Sequence, residues 1–226
     1  MQRLFVSLAV LTLAACSPKP ASPPQKTAAT PAPAAAKSTA PAGDYAIDMS
    51  HTNISFRVNH LGFSNYTANF DKAEGKLHFD PANPGAMTVE AIIDVASLDL
   101  NAPPAGFHDE IMGEGFFNAK AFPTIVFKST KVEPTGANTA QVTGDLTLHG
   151  VTKPVTLDTT FNGGWAANAY DAARVGFSAH GTFKRSDFGM SSGIPAPGTT
   201  MGVSDEVQFN IESEFGSGSK VASPGA

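Results

Sequence analysis

The side chains that could do chemistry are few and scattered. Histidines stand at His51, His60, His78, His108, His149 and His180. A zinc site needs three or four ligands converging on one ion, usually announced by tight spacing such as H-x-H or H-E-x-x-H. No such spacing occurs, and the run His108-Asp109-Glu110 would be splayed apart in any regular structure. Gly189-Met-Ser-Ser-Gly193 matches the G-x-S-x-G pattern with Ser191 as nucleophile. That chemistry depends on a sharp turn feeding a helix whose N-terminus faces the oxyanion. Pro195 and Pro197 follow at once and bar such a helix, so the segment reads as a loop. Glu114, Asp187, Asp205 and Glu206 fall in loops or at strand ends, where solvated acids ordinarily sit. No catalytic residue and no metal ligand is therefore assigned, and the chain is expected not to be an enzyme.

The elements that carry these residues repeat with a period of two. In Ile54-Ser-Phe-Arg-Val-Asn-His60 the polar Ser55, Arg57 and Asn59 share one face. Val89 to Val95, Val142 to Leu148, Val155 to Phe161, Val175 to Phe183 and Val207 to Phe215 alternate likewise, and Phe70 to Phe79 reads as a further strand. By this alternation His78, His149 and His180 point outward. Strands with one apolar and one polar face belong to antiparallel sheets with a single buried side. Turn chemistry separates them at Asp80 to Gly85, Pro134 to Gly136, Gly150 to Pro154 and Asn162 to Gly164. About eight strands result, which fits an up-and-down barrel or a sandwich. The segment Pro104 to Pro123 breaks the period, and a short helix capping one end is expected there, its glycines limiting its length.

The ends of the chain differ from its middle. Arg3 precedes an apolar run, Leu4 to Leu13, too short to span a bilayer and shaped like a secretory signal. It closes on Leu13-Ala-Ala-Cys16, which resembles a bacterial lipobox, with Cys16 the site of lipid attachment and the only cysteine. Residues 1–15 thus read as a lipoprotein signal peptide and 16–43, rich in Ala and Pro, as a disordered tether. The folded domain is expected over 44–215 and a flexible tail over 216–226. The domain holds ten basic against twenty acidic side chains, a balance of about −10, without a basic patch, so no nucleic-acid partner is expected. The expected location is the bacterial cell envelope, as a membrane-anchored lipoprotein facing the periplasm at the outer membrane.

Sixteen phenylalanines accompany one tryptophan and three tyrosines, many on the inward face. Eight strands is about the size at which a barrel interior either fills with side chains or admits one ligand. Small inward residues, Ala91, Gly144, Ala179 and Gly181, leave room. Composition alone leaves a ligand cavity and a packed core equally open.

Four stretches, in order, carry a resemblance: Tyr45 to Asp48 with Ile54 to Gly62, Phe116-Phe-Asn-Ala-Lys-Ala-Phe-Pro to Ser129, Gly144-Asp-Leu-Thr-Leu-His-Gly-Val-Thr-Lys-Pro to Leu157, and Lys184-Arg-Ser-Asp-Phe-Gly189. Together they resemble the YceI-like family of polyisoprenoid-binding, lipocalin-like proteins, over essentially all of 44–215. The resemblance implies an all-β, antiparallel eight-stranded lipocalin-like barrel, periplasmic and often a homodimer. It implies no cofactor, but an isoprenoid or isoprenoid-quinone-like lipid, or a similar amphiphile, held in the lumen. The family often has Asp-x-His-Leu before the Phe-Phe segment; here His108-Asp-Glu-Ile111 stands there. The expected lumen-lining residues are Ile54, Phe56, Val58, His60 and Phe63, then Leu77, Phe79, Ile93 and Val95. Phe116, Phe117, Phe127, Leu146, Leu148, Phe177, Phe183 and Phe209 complete the set. Arg185 and Asp187 are the polar candidates at the mouth.

Overall fold

The computed structural model describes residues 38–218. The strands are β1 (Gly43–Ile47), β2 (Asn53–His60), β3 (Ser64–Phe70), β4 (Ala73–Phe79), β5 (Thr88–Asp94), β6 (Leu98–Leu100), β7 (Thr124–Pro134), β8 (Thr139–Leu148), β9 (Val151–Trp165), β10 (Arg174–Lys184) and β11 (Val203–Ser217). A short helix α1 (Phe107–Met112) lies between β6 and β7. Hydrogen bonding runs antiparallel in the order β1-β4-β5-β7-β8-β9-β10-β11 and returns from β11 to β1, closing an eight-stranded barrel. From β11 the sheet also continues into β2, β3 and β6.

Eleven segments make eight walls because three walls are broken at one level. β1 and β2 both pair with β11, at Tyr45↔Ser217 and Val58↔Val207, and so form one interrupted strand. The Phe70 to Phe79 stretch, expected as a single strand, likewise splits into the end of β3 and β4, and β5–β6 is broken at Val95. Local side chains cause the breaks. Asp48 Oδ1 accepts from Ser50 N at 3.0 Å and Asp94 Oδ1 from Ala96 N at 3.0 Å, each starting a 3-10 turn. The peptides released there find partners: Lys72 N donates to Ser97 Oγ, Asp71 N to Ser97 O and Val95 N to Pro123 O.

Two turn expectations and one side-chain orientation need correction. Gly150 to Pro154 is not a turn: His149 and Gly150 alone, at φ 51° and 74°, join β8 to β9, and Pro154 sits within β9 opposite Asp145. This two-residue hairpin takes left-handed residues at both positions. Asn162 to Gly164 lies inside β9, where Gly163 pairs with Gly176 and Phe161 with Phe177, so Asn162 bulges out. His149 does not point outward; its Nδ1 lies 3.1 Å from Phe188 O and its ring packs edge-on against Phe122.

The folded unit also starts earlier than Asp44. Ala40 is 6% exposed, Thr39 N donates to Gly164 O, and Tyr45 Oη donates to Pro41 O at 2.7 Å. Residues 38–43, expected as the end of the tether, are part of the domain.

Inward side chains form two clusters. One gathers Ile54, Phe70, Val95, Leu98 and Phe188 around β2, β3 and β6; the other gathers Tyr45, Leu77, Phe79, Val175 and Phe215 around β1 and β4. Outside, Arg174 ties the β1–β2 corner to β10 and β11. Its Nη1 lies 2.6 Å from Asp48 Oδ2 and 3.4 Å from Glu214, and its Nε 2.5 Å from Asp171. Hydrogen bonds from Ser50, then Arg174 and His51, hold the Asp48 carboxyl well below the usual range. The hydrogen bond from Arg174 also lowers the Asp171 carboxyl.

Carboxyls lowered on folding stabilise fully above the unfolded value, about pH 4, and that contribution is lost as pH falls through their folded values. The variant Arg174→Met is therefore expected to be less stable at neutral pH and to lose less on acidification below about pH 4. Urea midpoints across this range check it; equal acid losses in both proteins refute it.

Candidate functional site

A cavity of about 1010 Å³ runs along the barrel axis. That is the upper end of the roughly 300–1,000 Å³ usual for small-molecule sites. Alternation builds its wall: β2 contributes Ile54, Phe56 and Val58, β4 Leu77 and Phe79, β5 Val89 and Ala91, and β7 Ile125 and Phe127. Leu146 and Leu148 come from β8, Phe177, Ala179 and Phe183 from β10, and Phe209 from β11. Phe107 and Ile111 of α1, with Phe116 and Phe117 after it, line the same space. Helix and following loop occupy the stretch where β6 has no partner beyond β3.

Two glycines set the width. A Cβ at Gly144 would lie 2.4 Å from Phe127 Cζ and 2.5 Å from the Lys128 carbonyl. At Gly181 it would lie 2.5 Å from Phe209 Cζ and 2.8 Å from the Thr156 carbonyl. The aromatic rings thus lie across bare backbone of the neighbouring strand. Phe79, Phe161, Phe177 and Phe215 stack in a chain with neighbouring centroids 5.3–6.2 Å apart toward one end. Phe56, Phe70 and Phe117 form a second group further along.

Polar atoms are sparse in this wall. Among the described residues that line it there is no Asp, Glu or Lys, and one guanidinium, Arg185. Arg185 is 7% exposed and donates four hydrogen bonds, all to main-chain carbonyls: Nε to Ser204, Nη1 to Met190 and Ser192, and Nη2 to Val203, at 2.7–2.9 Å. Burial pulls its pKa below the usual guanidinium value, with Asp205 opposing. Asp205 itself accepts from Ser186 N and Oγ at 2.9 and 2.8 Å. Among the described residues no three His, Cys, Asp or Glu side chains converge as metal ligands. Ser191 is exposed and is followed by turns and irregular chain.

Most residues expected on the lumen lie along the cavity, but four placements differ. Phe63 is 86% exposed, because Leu61 and Gly62 take left-handed conformations and the β2–β3 turn swings it out. Val95 is buried in the core, since the 3-10 turn after Asp94 ends the alternation, and Ile93 packs against that core without lining the cavity. Asp187 is exposed. In the 3-10 turn Arg185–Phe188, residues three apart eclipse, so Arg185 and Phe188 go inward and Asp187 outward. His60 lines the cavity from an exposed strand end. Cys16 lies outside the described residues.

Other wall residues were absent from the expected set. Val207, Ile211 and Phe161 follow the same alternation and were legible by it. Met190, Phe107 and Tyr66 are placed by loops and long-range pairing that no local pattern reveals.

An antiparallel barrel with a continuous apolar lumen defines a binding barrel. Residues 45–215 match the YceI-like domain, and the chain belongs to that family. It is 36% identical over 175 residues to a UPF0312 protein of Vibrio cholerae, covering 76% of this chain and 87% of the relative. Among solved structures it resembles Burkholderia cenocepacia BcnA, with a TM-score of 0.62, 29% identity, and coverage of 74% of this chain and 98% of that one. A polyisoprenoid binding domain from Saccharophagus degradans shares the fold at a TM-score of 0.55 and 14% identity, covering 76% of this chain and 97% of that one.

Ala91 and Ala179 supply much of the free width, so phenylalanine at both should fill the lumen while the strands persist. The double variant is expected to keep its β-sheet circular dichroism and lose stoichiometric binding of a naphthylamine fluorophore. Binding that survives would put the fluorophore outside the barrel.

Proposed function

We propose that the chain binds one long-chain isoprenoid, or a similar amphiphilic lipid, in its lumen, and stores, shields or hands it over in the bacterial cell envelope. Isoprenoid quinones fall within this class. The observation that carries the reading is the long cavity of about 1010 Å³ with almost no polar wall. Each isoprene unit brings about five carbons at roughly 0.8 kcal/mol per buried CH₂. About four units therefore offset an association cost of roughly 4–15 kcal/mol without a strong polar anchor. The Saccharophagus degradans domain, named for polyisoprenoid binding, supports the same class of ligand.

Native mass spectrometry of the full chain purified from bacteria tests this. One co-purified lipid per barrel is expected. A protein that carries none, and takes up no added polyprenol, would falsify the proposal.

The envelope location rests on Leu13-Ala-Ala-Cys16. With acylation at Cys16 the barrel is tethered to the membrane that supplies its guest. Replacing Cys16 with Ser is expected to move the protein from the membrane to the soluble fraction and to abolish palmitate labelling. Unchanged fractionation and labelling would refute the anchor.

A further inference from the structure

We infer that the barrel docks one rim onto a lipid bilayer by seating Trp165 and Tyr170 at the membrane interface, which sets an open mouth of the lumen against the membrane. This goes beyond the lumen reading and can fail while that reading stands.

The two ends of the barrel differ. The near end holds His60, Arg185 and α1; the far end holds the phenylalanine stack, the β4–β5, β7–β8 and β9–β10 connections, and Ser38. Among the described residues that line the cavity, ten are exposed. Eight stand at the far end, among them Ser38, Pro81, Pro84, Pro134, Gly136 and Ala137, and two, His60 and Pro104, at the near end. The lumen therefore opens chiefly at the far end.

Two of the three exposed aromatic side chains among the described residues stand on this far rim. Tyr170 is 98% exposed in the β9–β10 connection, where Asn168 Oδ1 accepts from Tyr170 N and Asp171 N and fixes a tight turn. Trp165, 49% exposed, ends β9 next to Ser38, which bridges to Gly164. Trp and Tyr favour the bilayer interface, where the ring meets the apolar phase and its polar atom stays wet. Residues 38–43, 81–88, 134–138 and 165–170 carry no charged side chain. The acids beside them are engaged: Asp80 accepts from Ala82 N and Asn83 N, and Asp171 pairs with Arg174. A domain with a strongly acidic balance thus presents an uncharged, aromatic rim, suited to insertion and not to charge attraction. The chain leading back to Cys16 also leaves the domain at Ser38, so the anchor proposed above would hold this rim near the bilayer.

The near end exposes Phe63 and Met201, on turns joined by the bond from Leu61 N to Gly202 O. It also exposes Asp109, Glu110, Glu114, Lys184 and Asp187. Pressing five charges toward a bilayer costs more than two apolar side chains return.

Trp165 is the only tryptophan, so its fluorescence reports the far rim alone. The test uses the chain from residue 16 onward with Cys16→Ser, so that no acyl group contributes, and vesicles of phosphatidylcholine that include a brominated phosphatidylcholine. Trp165 emission is expected to shift to the blue and to be quenched by the bromines. The quenching should be the same with added phosphatidylglycerol and at high salt. Tyr170→Ala is expected to weaken partitioning about tenfold, and Phe63→Ala to leave it unchanged. Filling the lumen with Ala91→Phe and Ala179→Phe is expected to preserve the quenching; its loss would mean that Trp165 had sensed lipid inside the barrel, and overturns docking. Vesicle binding without a change in Trp165 emission places the contact elsewhere and also overturns it. So does binding that requires phosphatidylglycerol, or a blue shift that grows with protein concentration in the absence of vesicles, the mark of a second copy on the rim. A protein that carries lipid in its native mass spectrum yet ignores vesicles loses this inference alone.

Discussion

Closure of the hydrogen-bonded ring through β11 is the constraint on which the rest depends. β11 pairs with β10 along nearly its full length, and on its other side with β2 and then β1. That seam removes the sheet edges at the level of β1 and β4, leaving β6 as the one edge among the described strands, and it turns every second side chain of eight walls toward one axis. Without it, phenylalanines that now share a lumen would lie on an open, exposed apolar face. The alternation in β2, β8, β10 and β11 has its meaning only because the ring is complete.

Inside the ring, geometry and charge divide the work. Bare backbone at Gly144 and Gly181 receives aromatic rings from the adjacent strand, so the bore is set by ring planes. Arg185 organises the near end in a different way. Its fork gathers carbonyls from Met190, Ser192, Val203 and Ser204, drawing the long connection between β10 and β11 against the barrel. One residue thus shapes the loop at the rim and adds the lining's fixed charge. Apolar burial is the main source of affinity available in such a site.

Much of this was legible in the sequence, for identifiable reasons. A period of two survives in any strand buried on one face, so alternation alone puts Ile54, Phe56, Leu146, Phe177 and Phe209 on the inner wall. What escaped were the points where a side chain overrides the ladder. Asp48 and Asp94 start 3-10 turns by capping nearby amides, so a reading by hydrophobic pattern runs straight through them and misplaces Val95. Asn162 to Gly164 has the composition of a turn, yet bulges within β9 because its partner strand continues past it. Phe63 looked like a continuation of the inward face, but the left-handed Leu61 and Gly62 reverse the chain first. The carbonyl cradle of Arg185 depends on residues up to nineteen positions away, which no local pattern encodes.

The level at which three walls are broken has a mechanical consequence. β7 to β11 pass through it uninterrupted, like the staves of a cask, while the β1–β2, β3–β4 and β5–β6 walls are jointed there. At a joint the strain of bending falls on caps and turn amides, and few ladder bonds must stretch. The barrel therefore has a back of five unbroken strands and a front of three jointed ones, so that any change of girth falls on the front.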